Sequence, residues 1–485
     1  MSAYLFRPRL LTLSLAPLLL APLLLEGCTT VGPDWHGAPV AAPQADARGQ
    51  FLRAPADADA AAPAAHWWEA LGDPALNDLE TRALAGSPDL AAAQARIANA
   101  TAALRSARSA LAPKVGVGAV AGEVTLPGAL LGRDGRLSEQ VYGDNLQASW
   151  EPDLFGANHR RIEAARDRAE ASEASAADVA VALSAQVAQA YVQMRAEQAN
   201  AALLAQQVAI DRQLLDAANG RFSGGTVGAQ AIDSARATLA QSESDLADSR
   251  AEIVALADQL AVLIGSEPGT LDALTVQTAP VPEVPAHVTV GDPARLLRHR
   301  PDIRAAERQL AAATADVGAR MADRFPSVSF TGILGLGSTD LGGAFSPSTL
   351  IGLIVPQIKW NAFDGGRAAA LVKSARSARD EAEANYRSRV LAALDDAEGA
   401  LVRFGTQRIA LGKAVEQHEA AAHLAGLQAT RAAGGTLSRA DALSADRQAL
   451  RAQLGTVTAR ARLTSDFIAV EKALGLGWER VDLGK

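Results

Sequence analysis

The chain has 485 residues, of which 49% are hydrophobic and only 4% aromatic, so much of its apolar content is alanine. Alanine is the strongest helix former and lets helices pack closely, which favours long packed helices over a bulky aromatic core. The formal net charge of −8 argues against nucleic acid as a partner, because a phosphate-binding surface needs a basic stripe.

Residues 1–27 have the layout of a secretory signal peptide. Arg7 and Arg9 provide a short basic region, and an almost wholly apolar segment follows from Leu10 to Leu25. This segment is shorter than the ~20 residues that a transmembrane helix needs, and it contains two prolines. A membrane-spanning anchor is therefore disfavoured.

Cys28 is the only cysteine and follows this segment closely. Leu25-Glu26-Gly27-Cys28 resembles the lipobox of bacterial lipoproteins, although Glu26 stands where a small or apolar residue is usual. Cys28 is therefore the expected site of lipid (palmitate) attachment, and the alternative is an ordinary signal peptide with an incidental cysteine. Residues 28–66 are rich in Ala, Pro and Asp without periodicity, which predicts a lipidated, extended N-terminal arm.

A first structural repeat is assigned to residues 67–279. It starts with a helix from Asp89 to Leu111, and a strand pair is predicted at 115–125 and 141–152. In the second of these strands, Leu146, Ala148 and Trp150 alternate with polar residues. Such a strand has one apolar and one polar face and the length of ~10 residues that a tilted membrane strand needs. The pattern alone leaves open whether the strands belong to a membrane or a soluble sheet.

A very long helix follows these strands. Residues 157–219 contain neither Gly nor Pro, so the helix would extend over ~95 Å. Leu183, Val187, Tyr191 and Met194 form a narrow apolar stripe along it, a pattern typical of coiled-coil packing. A second uninterrupted segment from 229 to 264 predicts a helix that returns beside the first.

Residues 280–292 are rich in proline, which indicates a linker before a second structural repeat at 293–478. There the strand pair is predicted at 327–337 and 350–360, and helices are predicted at 367–398 and 440–454. Residues 479–485 form a C-terminal tail.

Glycine pairs mark the turn of each helical hairpin, because glycine allows the positive φ that a tight reversal needs. In the first repeat the tip is predicted near 220–228, with Gly224 and Gly225. In the second it is predicted near 431–441, with Gly434 and Gly435.

The two repeats match at an offset of ~210 residues, which indicates a duplication. The matching segments are Ser87-Pro88-Asp89-Leu90 with Arg300-Pro301-Asp302-Ile303, Phe155-Gly156 with Phe363-Asp364, and Gly225-Thr226-Val227 with Gly435-Thr436-Leu437. The predicted fold is mainly α, with duplicated long helical hairpins and four β-strands in each protomer.

Four strands cannot close a barrel, and an open edge within lipid leaves backbone groups unpaired at a cost of several kcal/mol each. If the strands enter a membrane, three copies would supply twelve strands around an aqueous lumen. The helical hairpins would then continue the wall as an α-barrel tunnel.

Motifs along nearly the whole chain resemble the TolC-like outer-membrane efflux lipoproteins of the OprM/NodT type. They are Cys28-Thr29-Thr30-Val31-Gly32-Pro33-Asp34, Trp150-Glu151-Pro152-Asp153-Leu154-Phe155-Gly156, Leu296-Leu297-Arg298-His299-Arg300-Pro301-Asp302-Ile303, Phe363-Asp364-Gly365-Gly366 and Ala473-Leu474-Gly475-Leu476-Gly477-Trp478.

This resemblance implies a homotrimer with a twelve-stranded barrel, lipid-anchored in the outer membrane and extending into the periplasm. It also implies a periplasmic adaptor (membrane fusion) protein and an inner-membrane RND transporter as partners, with drugs or other small solutes as cargo. Two alternatives stay open: the outer-membrane channel of a type I protein secretion system, and a periplasmic coiled-coil lipoprotein without a pore.

In the family, an arginine and a tyrosine before the second tip glycine and an aspartate after it form a periplasmic gate. Arg431 matches the arginine, but Ala432 stands where tyrosine is usual. Ser444 occupies the position of the family's aspartate, and Asp441 matches an acidic tip position of some members. The resemblance makes Arg431 and Asp441 gate candidates, and Arg439 and Asp233 are further charged candidates near the tips. The alternative is that these residues belong to solvated helix ends.

Patterns of catalytic chemistry were not found. The histidines are scattered, no phosphate-binding glycine loop or nucleophile elbow occurs, and the carboxylates lie where helical pairing with arginine explains them. We therefore expect a protein that is not an enzyme and uses no cofactor or metal.

Overall fold

The computed structural model describes residues 30–54, 65–127, 134–285 and 287–478. The predicted signal peptide, Cys28 and the tail at 479–485 lie outside the described residues. The helices and strands run in the order α1 (Pro43–Arg48), α2 (Pro74–Gly86), α3 (Pro88–Arg108), β1 (Lys114–Pro127), β2 (Arg136–Trp150), α4 (Ala157–Ser223), α5 (Ala229–Leu263), α6 (Asp272–Val276), α7 (Pro293–His299), α8 (Pro301–Ala322), β3 (Ser327–Ser338), β4 (Leu350–Lys359), α9 (Arg367–Ala433) and α10 (Arg439–Ala473).

The same order of elements (one helix, two strands, a long helix and a returning helix) occurs twice along the chain. This confirms the duplicated hairpins. The long helices α4 and α9 both have 67 residues, and the returning helices α5 and α10 both have 35.

Helices α9 and α10 are longer than the sequence patterns predicted. The prediction ended the first at residue 398, but α9 continues through Gly399 and Gly405 to Ala433. A glycine inside a helix costs about 1 kcal/mol relative to alanine. The buried side chains of Leu401 and Phe404, 1% and 2% exposed, lie in the same stretch and offset that cost.

The chain forms two compact units, and the first comprises the described residues of 1–38, 100–169 and 309–383. It contains one antiparallel sheet in the order β1-β2-β3-β4. The four strands overlap the segments of the two predicted strand pairs, and β2 begins at Arg136 instead of residue 141. Pairing of β2 with β3, in which Trp150 faces Phe330 and Leu146 faces Leu334, joins them into one sheet and was not predicted.

One face of this sheet, called here its apolar face, carries exposed hydrophobic side chains on all four strands, with Asp144 among them on β2. Directly paired residues point to the same face, so Val117, Leu146 and Leu334 lie side by side. They remain 84%, 44% and 50% exposed. The same face continues on β4 with Ile354, which is 77% exposed. Exposed hydrophobic side chains that lie side by side on four strands are typical of a surface that meets an apolar environment or a partner.

The second unit comprises the described residues of 39–99, 170–308 and 384–485. Its large hydrophobic core includes Trp67, Leu76, Phe404 and Phe467. The predicted apolar stripe on the long helix is confirmed as part of this core, since Leu183, Val187, Tyr191 and Met194 are at most 4% exposed.

The N-terminal arm and the linker both contribute buried residues to the core, which their sequences did not predict. In the arm, Phe51 is 4% exposed within the core, and the Glu398 carboxylate accepts hydrogen bonds from the backbone N–H groups of Leu52 and Arg53 at 2.9 and 3.0 Å. In the linker, Val281, Val288 and Val290 are buried in the same core. The apolar residues of these segments stand singly among proline, alanine and polar residues, so no helical or strand periodicity predicts their burial.

Two of the recognisable motifs contact each other in the second unit. The Arg300 guanidinium forms two hydrogen bonds with the Asp302 carboxylate, both of 2.9 Å, and donates to the carbonyl oxygen of Ala473 at 2.8 Å. Gly475 has φ +74°, and a Cβ atom there would lie 2.7 Å from Cγ of Arg300. Glycine is therefore needed at position 475 of the terminal motif, because any side chain there would prevent the close approach of Arg300.

Two carboxyl groups in the second unit are buried and have oxygen atoms that accept no hydrogen bond from the described residues. Both oxygens of Glu80 and one oxygen of Glu471 are of this kind. Burial raises the pKa of Glu80 to about 9 and that of Glu471 to about 8. Both side chains therefore favour the protonated form at neutral pH.

None of the helices in the described part of the chain is both long and apolar enough to cross a lipid bilayer.

Candidate functional site

The tips of the two helical hairpins, both in the second unit, have the same backbone geometry. At the first, the N–H of Thr226 donates to the carbonyl of Arg221 at 2.9 Å, and the N–H of Gly225 donates to the carbonyl of Phe222 at 2.9 Å. Thr436, Gly435 and their partners repeat this arrangement at the second tip. The pattern is a Schellman motif, which satisfies the last carbonyl groups of a helix.

The two glycines in each tip have different roles. Gly225 and Gly435 have φ +71° and +72°, whereas the preceding residues Gly224 and Gly434 do not have positive φ. The left-handed conformation costs an L-residue roughly 1–2 kcal/mol. Only the second glycine of each pair is therefore required by the turn.

We expect Gly225→Ala to destabilise the end of α4 by roughly 1–2 kcal/mol because alanine resists positive φ. Gly224→Ala is the matched control, and it should be neutral or slightly stabilising because that residue does not adopt positive φ. Hydrogen exchange of the amides in the last turn of α4 measures the effect. Equal exchange rates in the two variants would contradict the assigned roles.

The four charged gate candidates occupy different positions at the tips. Arg431 lies in the last turn of α9 and is exposed. Asp441 lies in the first turn of α10, where its carboxylate accepts a 2.6 Å hydrogen bond from the hydroxyl of Ser438. Asp233 forms an exposed ion pair with Arg236 at 3.6 Å. The structure gives no contact between Arg431 and Asp441 within the chain.

Arg439 is the candidate that connects the two hairpins. Its guanidinium donates to the side-chain oxygen of Gln213 on α4 at 3.1 Å. A second connection lies nearby on the same two helices, where Arg447 of α10 approaches the carboxylate of Asp211 of α4 at 3.3 Å. Both contacts join the first hairpin to the second.

Asp211 is the centre of a buried polar cluster that sequence analysis missed. It is 1% exposed and accepts a 2.6 Å hydrogen bond from the hydroxyl of Ser242, which in turn accepts one from the amide of Gln207 at 3.1 Å. Asp211 precedes Arg212 in a helix with many charged residues, so it had the pattern of a solvated position. Only the position of α10 shows that its partner is Arg447.

The described residues contain no group of three or more His, Cys, Asp or Glu side chains arranged to hold a metal ion. The contacts observed between the hairpins near the tips are ion pairs and hydrogen bonds. Such contacts can hold two hairpins together or release them, and they involve no covalent step.

Comparison with known proteins places the chain in a family. The family model described as "Outer membrane efflux protein" matches residues 79–266 and 293–476, which is well over half of the chain and covers both repeats. The chain belongs to the outer membrane efflux protein family.

Named relatives of this outer membrane efflux protein have similar length. Nodulation protein T of Rhizobium leguminosarum bv. trifolii is 27% identical over 470 residues, which cover 95% of this chain and 96% of the relative. The toluene efflux pump outer membrane protein TtgF of Pseudomonas putida is 29% identical, with 86% of each chain covered.

Solved channels have the same fold as this outer membrane efflux protein. The outer-membrane channel OprN superposes with a TM-score of 0.81 at 31% identity, covering 92% of this chain and 99% of the other. The open state of the MtrE outer membrane channel of Neisseria gonorrhoeae gives a TM-score of 0.75 at 26% identity, covering 93% and 99%. This protein is thus an outer-membrane efflux channel of TolC-like fold, as the motifs predicted.

Proposed function

We propose that the protein is the outer-membrane channel of a tripartite RND-type efflux pump, a passive conduit through which drugs or other small solutes leave the periplasm. The main support is the match to solved outer-membrane channels over almost the full chain. It disfavours the non-pore alternative. The protein itself catalyses no reaction, and its energy comes from an inner-membrane RND transporter coupled through a periplasmic adaptor.

The functional form is a homotrimer with a twelve-stranded barrel. Strands β1 and β4 are the two edges of the sheet, and among the described residues each pairs with one neighbour. In lipid, each edge must find another strand. Three copies that join β1 of one protomer to β4 of the next close the sheet without an open edge, and the exposed apolar face then meets lipid.

The first described residues of the N-terminal arm are held at the start of α4. The N–H of Val31 donates to the carbonyl of Phe155 at 3.2 Å, and the buried Arg160 guanidinium contacts the Asp34 carboxylate at 2.5 Å. Both contacts lie at the start of α4 in the first unit. Cys28, two residues before the described chain begins, is the lipid attachment site in this proposal, and residues 1–27 are its signal peptide.

We propose that the hairpin tips form the periplasmic gate. The contacts of Arg439 with Gln213 and of Arg447 with Asp211 hold the second hairpin against the first. Arg431, Asp441 and Asp233 remain exposed for contacts with neighbouring protomers. Opening requires that the hairpins separate, which breaks the two contacts and releases the turns at Gly224–Gly225 and Gly434–Gly435.

Planar-bilayer recording of the purified protein tests both proposals. We expect trimers with stepwise conductance, and we expect the double variant Arg439→Gln, Arg447→Gln to be open more often. Hydrogen bonds to charged groups contribute about 1.5–3 kcal/mol, so losing one should raise the open-to-closed ratio at least about tenfold. Arg451→Gln, an exposed position on the same helix, is the matched control and should behave as the wild type.

Two outcomes would count against these proposals. Stable trimers that never conduct, in the wild type or in the double variant, would contradict the channel function. Conductance that is the same in the double variant and in the wild type would contradict the gate but leave the channel in place.

A further inference from the structure

The two faces of the sheet differ in character at the end where α3 and α8 lead into it and α4 and α9 leave it. The face opposite the apolar one carries Gln147 and Ser149 on β2 and Ser329 and Thr331 on β3 at this end. Successive residues of a strand point to opposite faces, so none of these four side chains shares a face with Leu334. These four residues define what is called here the polar face.

Two exposed lysines lie on the polar face, one at each edge of the sheet. Lys114 pairs with Ser149, and Lys359 pairs with Ser327, which has the same orientation as Thr331. Lys114 is the first residue of β1 and Lys359 is the last residue of β4. Because all neighbouring strands are antiparallel, β1 and β4 run in opposite directions. Both lysines are therefore at the same end of the sheet.

These lysines are the cations on this side of the sheet among the described residues of the four strands. The one carboxylate on the same side is Glu139, which pairs with Val124 towards the other end of β1. At a rise of ~3.3 Å per residue, Val124 lies about 33 Å from Lys114. Other exposed cations of the first unit, such as Lys373, lie on helices. The polar face is therefore basic at the helical end.

Carboxylates in the segments next to this end neutralise only part of the lysine charge. The described residues give neither lysine an ion pair. Asp153 and Asp364 accept hydrogen bonds from backbone N–H groups. Asp323 contacts Arg161. Glu151, one residue after β2, is exposed and supplies one negative charge against the two positive charges of the lysines.

The proposed homotrimer brings the lysines of adjacent protomers together. In it, β1 of one protomer joins β4 of the next, so Lys114 of the first and Lys359 of the second lie side by side at the same level. The apolar face meets lipid in this arrangement, and the polar face with its lysines lines the lumen. Six ammonium groups, two from each protomer, then surround the lumen where the barrel meets the tunnel. They are called here the lysine ring.

We propose that the lysine ring makes the channel favour anionic solutes, such as organic carboxylates, over cationic ones. Rings of Lys or Arg select anions in pores because fixed charge raises the local concentration of ions of opposite sign. An ammonium group about 8 Å away in water changes the local concentration of a monovalent anion by on the order of twofold. The inference rests on the proposed trimeric channel and adds the charge class of solute that it passes most easily.

Reversal potentials of the full chain in planar bilayers of phosphatidylcholine test the inference. Under a KCl gradient centred on about 0.1 M, where the Debye length is ~10 Å, they give the ratio of chloride to potassium permeability. We expect the double variant Lys114→Gln, Lys359→Gln to lower this ratio at least about twofold relative to the wild type. The ratio of benzoate to potassium permeability should fall in the same way, and each single variant should have a smaller effect.

A control on the other side of the same sheet separates the lysine ring from net charge. Arg136 on β2 is exposed and is an even number of residues from Leu146, so it lies on the side of the apolar face. Arg136→Gln removes one positive charge, as each single lysine variant does, and should keep the wild-type ratio. At about 1 M KCl the Debye length is ~3 Å, so the wild-type ratio should fall towards that of the double variant. This comparison at two salt concentrations needs no substitution.

The outcomes distinguish failure of this inference from failure of the proposed function. Equal ratios in the wild type and the double variant would overturn the lysine ring as a selective element. A shift in Arg136→Gln as large as that in Lys114→Gln, or a wild-type ratio insensitive to salt, would do the same. Each of these results comes from a conducting protein and leaves the proposed channel in place. A wild type that never conducts would contradict the channel and, with it, the inference.

Discussion

Replacing Arg300 with alanine should lower the free energy of unfolding by about 3–5 kcal/mol, because removing one partner of a buried ion pair leaves an uncompensated charge. The side chains of Arg300 and Asp302 are only 11% and 8% exposed, and their two hydrogen bonds are parallel. The variant also removes the donor for the last carbonyl of α10, that of Ala473. The midpoint of thermal loss of helical circular dichroism measures the effect.

Two companion variants make this prediction specific. Arg298→Ala removes an exposed arginine two residues away and should change the midpoint little. The double variant Arg300→Met, Asp302→Asn removes both charges and should recover much of the loss, since an apolar or neutral pair avoids the stranded carboxylate. A double variant as unstable as Arg300→Ala would show that the packing of Arg300 against Gly475 matters more than its charge.

Glu80→Gln should stabilise the protein at high pH and change it least at low pH. The pKa of Glu80 is about 9 in the folded protein and 4.5 without burial, so the folded state binds more protons between these values. Stability is then fully present below pH 4.5 and falls as pH rises towards 9. At neutral pH the loss is on the order of 3 kcal/mol, and glutamine at this position does not titrate.

The measurement is the pH dependence of the thermal midpoint from pH 5 to pH 8 in wild type and variant. The wild-type midpoint should fall over this window, and the fall should be smaller in Glu80→Gln. Part of the fall that remains in the variant comes from Glu471, because its pKa is raised to about 8. Glu252→Gln, an exposed position, is the control and should keep the wild-type slope. Parallel slopes in wild type and Glu80→Gln would contradict the assignment.

Sequence reasoning predicted the elements with strong periodicity and missed the contacts between elements. Leu183, Val187 and Tyr191 repeat at helical spacing, so the buried face of α4 was evident. Pairing of β2 with β3 depends on two segments nearly two hundred residues apart, and no local pattern specifies it. The full length of α9 was missed because Gly399 weakens a helix by propensity alone, while Phe404 and its neighbours bury enough surface to continue it.

The same distinction applies to the candidate gate. The tip glycines could be predicted because a helix reversal has a local backbone requirement, which Gly225 and Gly435 meet. The buried pairing of Asp211 with Arg447 joins charges from different helices, and each charge by itself has the pattern of a solvated surface. Gate candidates selected from the sequence were therefore exposed residues, and the buried connection between the hairpins required the structure.

Helices α4 and α9 have equal lengths, as do α5 and α10, and this constrains where insertions and deletions are tolerated. Deleting one residue from α4 alone would shift everything beyond it by about 1.5 Å along the axis and rotate it by about 100°. Asp211 would then no longer lie opposite Arg447, and the turn after α4 would shift relative to the turn after α9. Insertions and deletions in one half of the chain should therefore survive only with compensating ones in its partner helix, whereas the two copies remain free to diverge by substitution.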